Sequence, residues 1–129
     1  MQIKNGQINL VISFLDTMTL KGRQSLGRTK LKEKLSKQVE VFSKDQQEII
    51  GEYDAWIDKE QLQYKLPHDE ARETMNDLLN QEVEITYNSP FRKDFVKALE
   101  EYEGDLEGQH ADAYALLYEK LIEEKGEDK

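Results

Sequence analysis

Along the first half of the chain, apolar residues recur at steps of three, four and seven, the period of a helix that buries one face. Leu31, Leu35, Val39, Phe42, Ile49, Tyr53 and Trp56 form the longest such series, with Gln46 at its one polar position. The spacing predicts one helix from about Ser25 to Tyr53, a rod of roughly 40 Å. A chain of this size cannot cover such a rod along its whole length, so one end projects or a second copy covers it. The heptad subset Leu35, Phe42, Ile49 and Trp56 has polar companions in Gln38, Asp45 and Glu52, whereas a sustained two-stranded coiled coil needs both rows apolar. The seam therefore reads first as packing against the chain's own helices and second as an oligomer contact.

The remaining pattern predicts shorter elements. Met1 to Asn5 reads as a short strand or lead-in, Asn5-Gly6 as a turn, with Asn5 capping a short helix that carries Ile8, Val11, Ile12 and Leu15. Thr17 to Gly27 reads as a connector. Trp56-Ile57 and the alternating Leu62, Tyr64 and Leu66 suggest a small hairpin. Pro67 suits a first helical position, and Ala71, Met75, Leu78 and Leu79 give that helix an apolar face as far as about Gln81. Val83 to Tyr87 alternates as a strand that would pair with the hairpin. Ser89-Pro90 starts a helix with Phe91, Phe95, Leu99 and Tyr102 on its face, and Gly104 to Gly108 ends it. A last helix from about Gln109 presents Tyr114, Leu117, Tyr118, Leu121 and Ile122, and residues 123–129 form a charged tail that frays. Together these predict one predominantly helical α+β domain: a long helix, several shorter ones and a small antiparallel sheet.

Charge changes the picture more than composition does. The 129 residues carry a net charge of −9, but Met1 to Lys44 hold nine bases against three acids, so the remainder is strongly acidic. Lys21, Arg23, Arg28, Lys30, Lys32, Lys34 and Lys37 face the single acid Glu33 where the long helix begins. Bases there oppose the helix dipole. Either the acidic remainder neutralises them within the molecule, or an anion or acidic partner does. Glycines at 22 and 27 beside Lys21, Gly22, Arg23, Ser25, Arg28 and Lys30 make this stretch the candidate anion or acidic-partner site. The glycine spacing does not match a nucleotide phosphate loop. From Glu100 onward eleven acids face three lysines, a surface that would repel nucleic acid and could imitate it. The basic stretch has no interleaved aromatic to stack on single-stranded nucleic acid.

Chemistry finds little support. There is no cysteine, which removes disulfides and thiol catalysis. His68 and His110 lack the spacing of a helical zinc pair, Asp105, Glu107 and Asp112 lack that of a calcium loop, and no serine sits in a nucleophile elbow. The expectation is a protein without enzymatic activity, cofactor or metal. No apolar run approaches a membrane span and no signal-peptide pattern opens the chain, so a cytoplasmic location without membrane association is expected.

The segments Ile3-Lys-Asn-Gly-Gln7, Leu20-Lys-Gly-Arg-Gln-Ser25 with Arg28-Thr-Lys30, and Leu78-Leu-Asn-Gln-Glu-Val-Glu-Ile85 resemble those of small phage and prophage proteins of Gram-positive bacteria, the domain-of-unknown-function 1617 family. The resemblance implies a phage-encoded protein made inside a bacterial host. It brings no activity and assigns no catalytic residue, but its Lys-Gly-x-x-Ser-x-x-Arg stretch falls on Lys21, Gly22, Ser25 and Arg28, inside the charged candidate site. The leading expectation is an accessory protein that binds a host or phage protein, as a modulator or inhibitor. The alternatives are a virion or tail-assembly component that uses the seam Leu35, Phe42, Ile49, Tyr53 and Trp56 to form a homo-oligomer, and a nucleic-acid binder that uses the basic helix start.

Overall fold

In the computed structural model the described residues are 1–52, 56–58, 63–65 and 69–123, with 56–58 and 63–65 described by backbone alone. The element order is β1 (Gln2–Lys4), α1 (Asn5–Leu15), α2 (Gly22–Glu52), β2 (Trp56–Asp58), β3 (Gln63–Lys65), α3 (Asp69–Asn80), β4 (Glu82–Glu84), α4 (Arg92–Glu100) and α5 (Gly108–Tyr118), which runs into a π-helical turn at Glu119–Glu123. The fold is predominantly helical α+β. At 31 residues α2 is the longest element, a rod of ~46 Å.

The seam of α2 is covered by the chain itself. Leu31 and Leu35 are fully buried, Phe42 is 7% and Ile49 9% exposed. The first half of α2 packs on α1 and α4, and its second half on α3. Gln46, the polar seam position, faces α3, where its Nε2 lies 3.9 Å from the Met75 sulfur. Trp56 does not continue the seam, because the helix ends at Glu52 and Trp56 lies in β2. Tyr53, Pro67 and the 124–129 tail lie outside the described residues.

Two further expectations are corrected. The strand after α3 does not join the hairpin: β4 pairs antiparallel with β1, and β2 pairs with β3 in a separate ladder. The Asn5-Gly6 pair forms no turn and Asn5 is no cap. Both residues lie in the first turn of α1, where Gln7 Oε1 accepts the Lys4 N–H at 3.1 Å. The Asn5 side chain is instead buried, donating to the Leu78 carbonyl at 3.0 Å and accepting from Gln38 Nε2 at 3.1 Å. One amide thus ties α1 to α2 and α3.

The helix starts also shift. α2 begins at Gly22, so residues 22–27 of the expected connector are helical. α4 begins at Arg92, two residues past Pro90, although Ser89 Oγ still accepts the Phe91 N–H at 3.0 Å. The core is continuous from Ile3, Ile8, Val11, Phe14 and Leu15 through Leu31 and Leu35 to Phe95, Leu99, Leu117 and Leu121.

Candidate functional site

The fold sorts the bases of α2 into two groups. The first turns inward on the protein. Arg28 Nη1 donates to the carbonyls of Leu15, at 3.4 Å, and Met18, while Nη2 lies 3.4 Å from Ser25 Oγ. Leu15 is the last residue of α1, so the guanidinium sits where helix carbonyls lack partners and the dipole favours a cation. Arg23 Nε donates to Asp94 Oδ2 at 3.1 Å, and its guanidinium lies 4.9 Å from the Phe91 ring centre. Lys32 pairs with Asp16. Arg23, Ser25, Arg28 and Lys32 therefore hold the α1–α2 connection and α4 in place. Gly22 takes the left-handed conformation (φ 57°) at the entry to α2, beside an exposed Lys21.

The second group is Lys30, Lys34 and Lys37, which steps of four and three place on one face of α2. These lysines line a cleft between α2 and the segment that follows β4. One part, of about 230 Å³, is bounded by Lys30, Glu33 and Lys34 and by Thr86 to Pro90. The adjoining part, of about 170 Å³, is bounded by Lys34, Lys37, Gln38 and Val41 and by Glu84 to Thr86. Lys34 and Thr86 belong to both. Lys30 lies 3.7 Å from Glu33, and Glu84 pairs with the Met1 amino group at 3.5 Å. Lys34 and Lys37 have no ion-pair partner among the described residues, and Val41 beside them is 51% exposed.

Tyr87 fixes the far wall. Its hydroxyl donates to the Gly27 carbonyl at 2.6 Å, and Arg92 both donates to the Tyr87 carbonyl at 3.1 Å and lies 5.3 Å from its ring centre. Burial pushes the phenol well above its usual range, with the Arg92 charge opposing the shift. A group whose folded pKa is raised stabilises the protein fully below its unfolded pKa and loses that contribution as pH climbs. Stability is thus expected to fall above about pH 10 by up to ~1.4 kcal/mol per pH unit from this group. Thermal melts from pH 8 to 11.5 should show a steeper alkaline decline for the native chain than for Tyr87→Phe. Parallel declines would contradict this.

The other candidates distribute differently. Every acid from Glu100 to Glu123 is exposed, and no ion pair joins them to the bases of α2 among the described residues. His110 Nε2 lies 3.5 Å from Ser13 Oγ at the surface, while His68 lies outside the described residues. Among the described residues no group of three or more His, Asp or Glu side chains could hold a metal ion, and no helix is long and apolar enough to cross a membrane. Leu35, Phe42 and Ile49 are buried in the single chain, so they offer no free face for a homo-oligomer.

No family model, curated protein or solved structure matches the chain. The phage-family resemblance accordingly rests on its short sequence motifs. Reading the sequence for charge points to the first turns of α2, several of whose bases the fold engages internally. Lys34 and Lys37 belong to the basic stretch but not to the candidate anion site read from the sequence, and their i, i+4, i+7 spacing from Lys30 is the signal that groups them; Thr86 carries no such signal.

Proposed function

We propose that this chain is a non-catalytic accessory protein that acts by binding another protein, and that the Lys30, Lys34 and Lys37 cleft is the surface that reads the partner's acidic residues. The observation that carries this reading is the division of the basic residues. Arg23, Arg28 and Lys32 are engaged within the molecule, whereas Lys34 and Lys37 stand exposed in a concave site next to exposed Val41. Charges of one sign in a cleft raise the rate and selectivity of encounter with a complementary partner. The setting, a phage product modulating or inhibiting a factor of its bacterial host, follows from the sequence resemblance.

The test is an affinity capture from bacterial lysate with the native chain, the Lys34→Glu/Lys37→Glu variant and Lys93→Glu as a surface-charge control. Lys93 is exposed and lies outside the cleft. A protein held by the native chain and by Lys93→Glu, but reduced at least tenfold by the double reversal at unchanged melting temperature, is the expected result. Equal retention by all three would remove the cleft as the binding surface.

A further inference from the structure

The far wall of the cleft suggests the conformation in which a partner enters it. β4 pairs with β1, and the pairing extends to Ile85, whose N–H donates to the Met1 carbonyl at 2.7 Å and whose carbonyl accepts from the Met1 amino group at 2.7 Å. In an antiparallel pair, residues that exchange both bonds alternate with residues whose backbone groups face the opposite edge. Ile85 faces β1, so the N–H and C=O of its neighbours Glu84 and Thr86 face away from it. The alternation of a strand continues beyond β4, with Ile85 and Tyr87 buried and Thr86 and Asn88 exposed. Among the described residues, no hydrogen bond reaches the backbone of Thr86 or Asn88. A row of unpaired strand groups is a template for another strand.

Resting on the reading above, we propose that the partner contributes an extended acidic segment that adds as a strand along Thr86 to Asn88, with its carboxylates on Lys34 and Lys37. Alternate side chains of a strand recur at ~6.8 Å, a spacing that two flexible lysines one helical turn apart can meet. The acids in the cleft are already engaged, Glu33 by Lys30 and Glu84 by the Met1 amino group, which leaves Lys34 and Lys37 for the incoming segment. Nucleic acid fits less well. A sugar–phosphate chain has no amide N–H and C=O groups to pair with a strand edge.

Fluorescence anisotropy with four kinds of labelled probe tests this on the intact protein at low salt. The probes are a seven-residue peptide alternating Glu and Val, two versions of it N-methylated on one or the other set of alternate amides, its Lys-Val counterpart, and a single-stranded oligothymidylate. The acidic peptide is expected to bind, at least tenfold more weakly to Lys34→Glu/Lys37→Glu, and one of the two N-methylated versions is expected to lose at least tenfold while the other is retained. Equal binding of both N-methylated versions would overturn strand addition, as would no binding of the acidic peptide or a preference for the oligonucleotide. The lysate capture decides separately whether the lysine cleft binds a protein, so strand addition can fail while that reading stands.

Discussion

Gly27→Ala is expected to destabilise the protein by about 2 kcal/mol, lowering its melting temperature by roughly 8 °C. In an ordinary helix this change would be favourable by up to ~1 kcal/mol. Here an added Cβ would stand 2.4 Å from the Phe91 carbonyl oxygen and 2.7 Å from Phe95 Cβ. These atoms belong to the backbone and the first side-chain carbon at the start of α4, so relief requires α2 and α4 to move apart. That movement also strains the hydrogen bond from Tyr87 to the Gly27 carbonyl. Overpacking of this kind costs ~1–3 kcal/mol or more and outweighs the propensity gain. Gly51 is the internal comparison: it lies in the same helix with nothing within 4 Å of an added Cβ among the described residues. Gly51→Ala should stabilise by about 0.5 kcal/mol. Thermal unfolding of the two variants side by side checks the pair, and a neutral Gly27→Ala would contradict the close crossing.

Replacing Asn5 by alanine is expected to cost about 2–3 kcal/mol in chemical denaturation. Asn5 is 3% exposed and is the one buried amide or charged side chain among the described residues. Its loss leaves Gln38 Nε2 without its acceptor and the Leu78 carbonyl with the Gln81 N–H alone. Asn5→Asp should be worse at neutral pH, because an ionised carboxylate cannot donate to Leu78 and would be buried without a cation. If Asn5→Asp equals the native chain in stability, the amide does not hold α1, α2 and α3 together as described.

Both residues show how far the sequence could be read. The seam Leu31, Leu35, Phe42 and Ile49 was legible because a helix 31 residues long repeats its period often enough to be unmistakable. The hairpin arms and the helix at 69–80 were legible for similar local reasons. Asn5 and Gly27 were not, because their roles come from segments more than sixty residues away: Leu78 for one, Phe91 and Phe95 for the other. Asn5-Gly6 is a strong turn signal locally, and tertiary burial overrode it. The partner of the strand at 82–84 was likewise a long-range choice, made by β1 rather than by the nearer hairpin.

The same distinction governs the candidate site. Charge counting could place positive residues at the start of α2, but it treats all lysines and arginines alike. Arg28 is drawn to the carbonyls at the end of α1, and Arg23 to Asp94 and Phe91, by groups that only the folded chain brings near. What remains for a partner lies one to three turns further along the helix, opposite a wall whose position depends on Tyr87 and Gly27. Stability and the proposed binding surface therefore meet at one contact, where the α2–α4 crossing holds up the cleft.

Lysine reactivity in the captured complex tests the binding surface most directly. The native chain would be acetylated with a limiting reagent, free and with its partner bound, and each lysine read by mass spectrometry. Protection of Lys34 and Lys37, with Lys93 and Lys97 on α4 unchanged, is the result the proposed cleft predicts. Unchanged reactivity of Lys34 and Lys37 in a complex that still forms would contradict it and move the partner to another face.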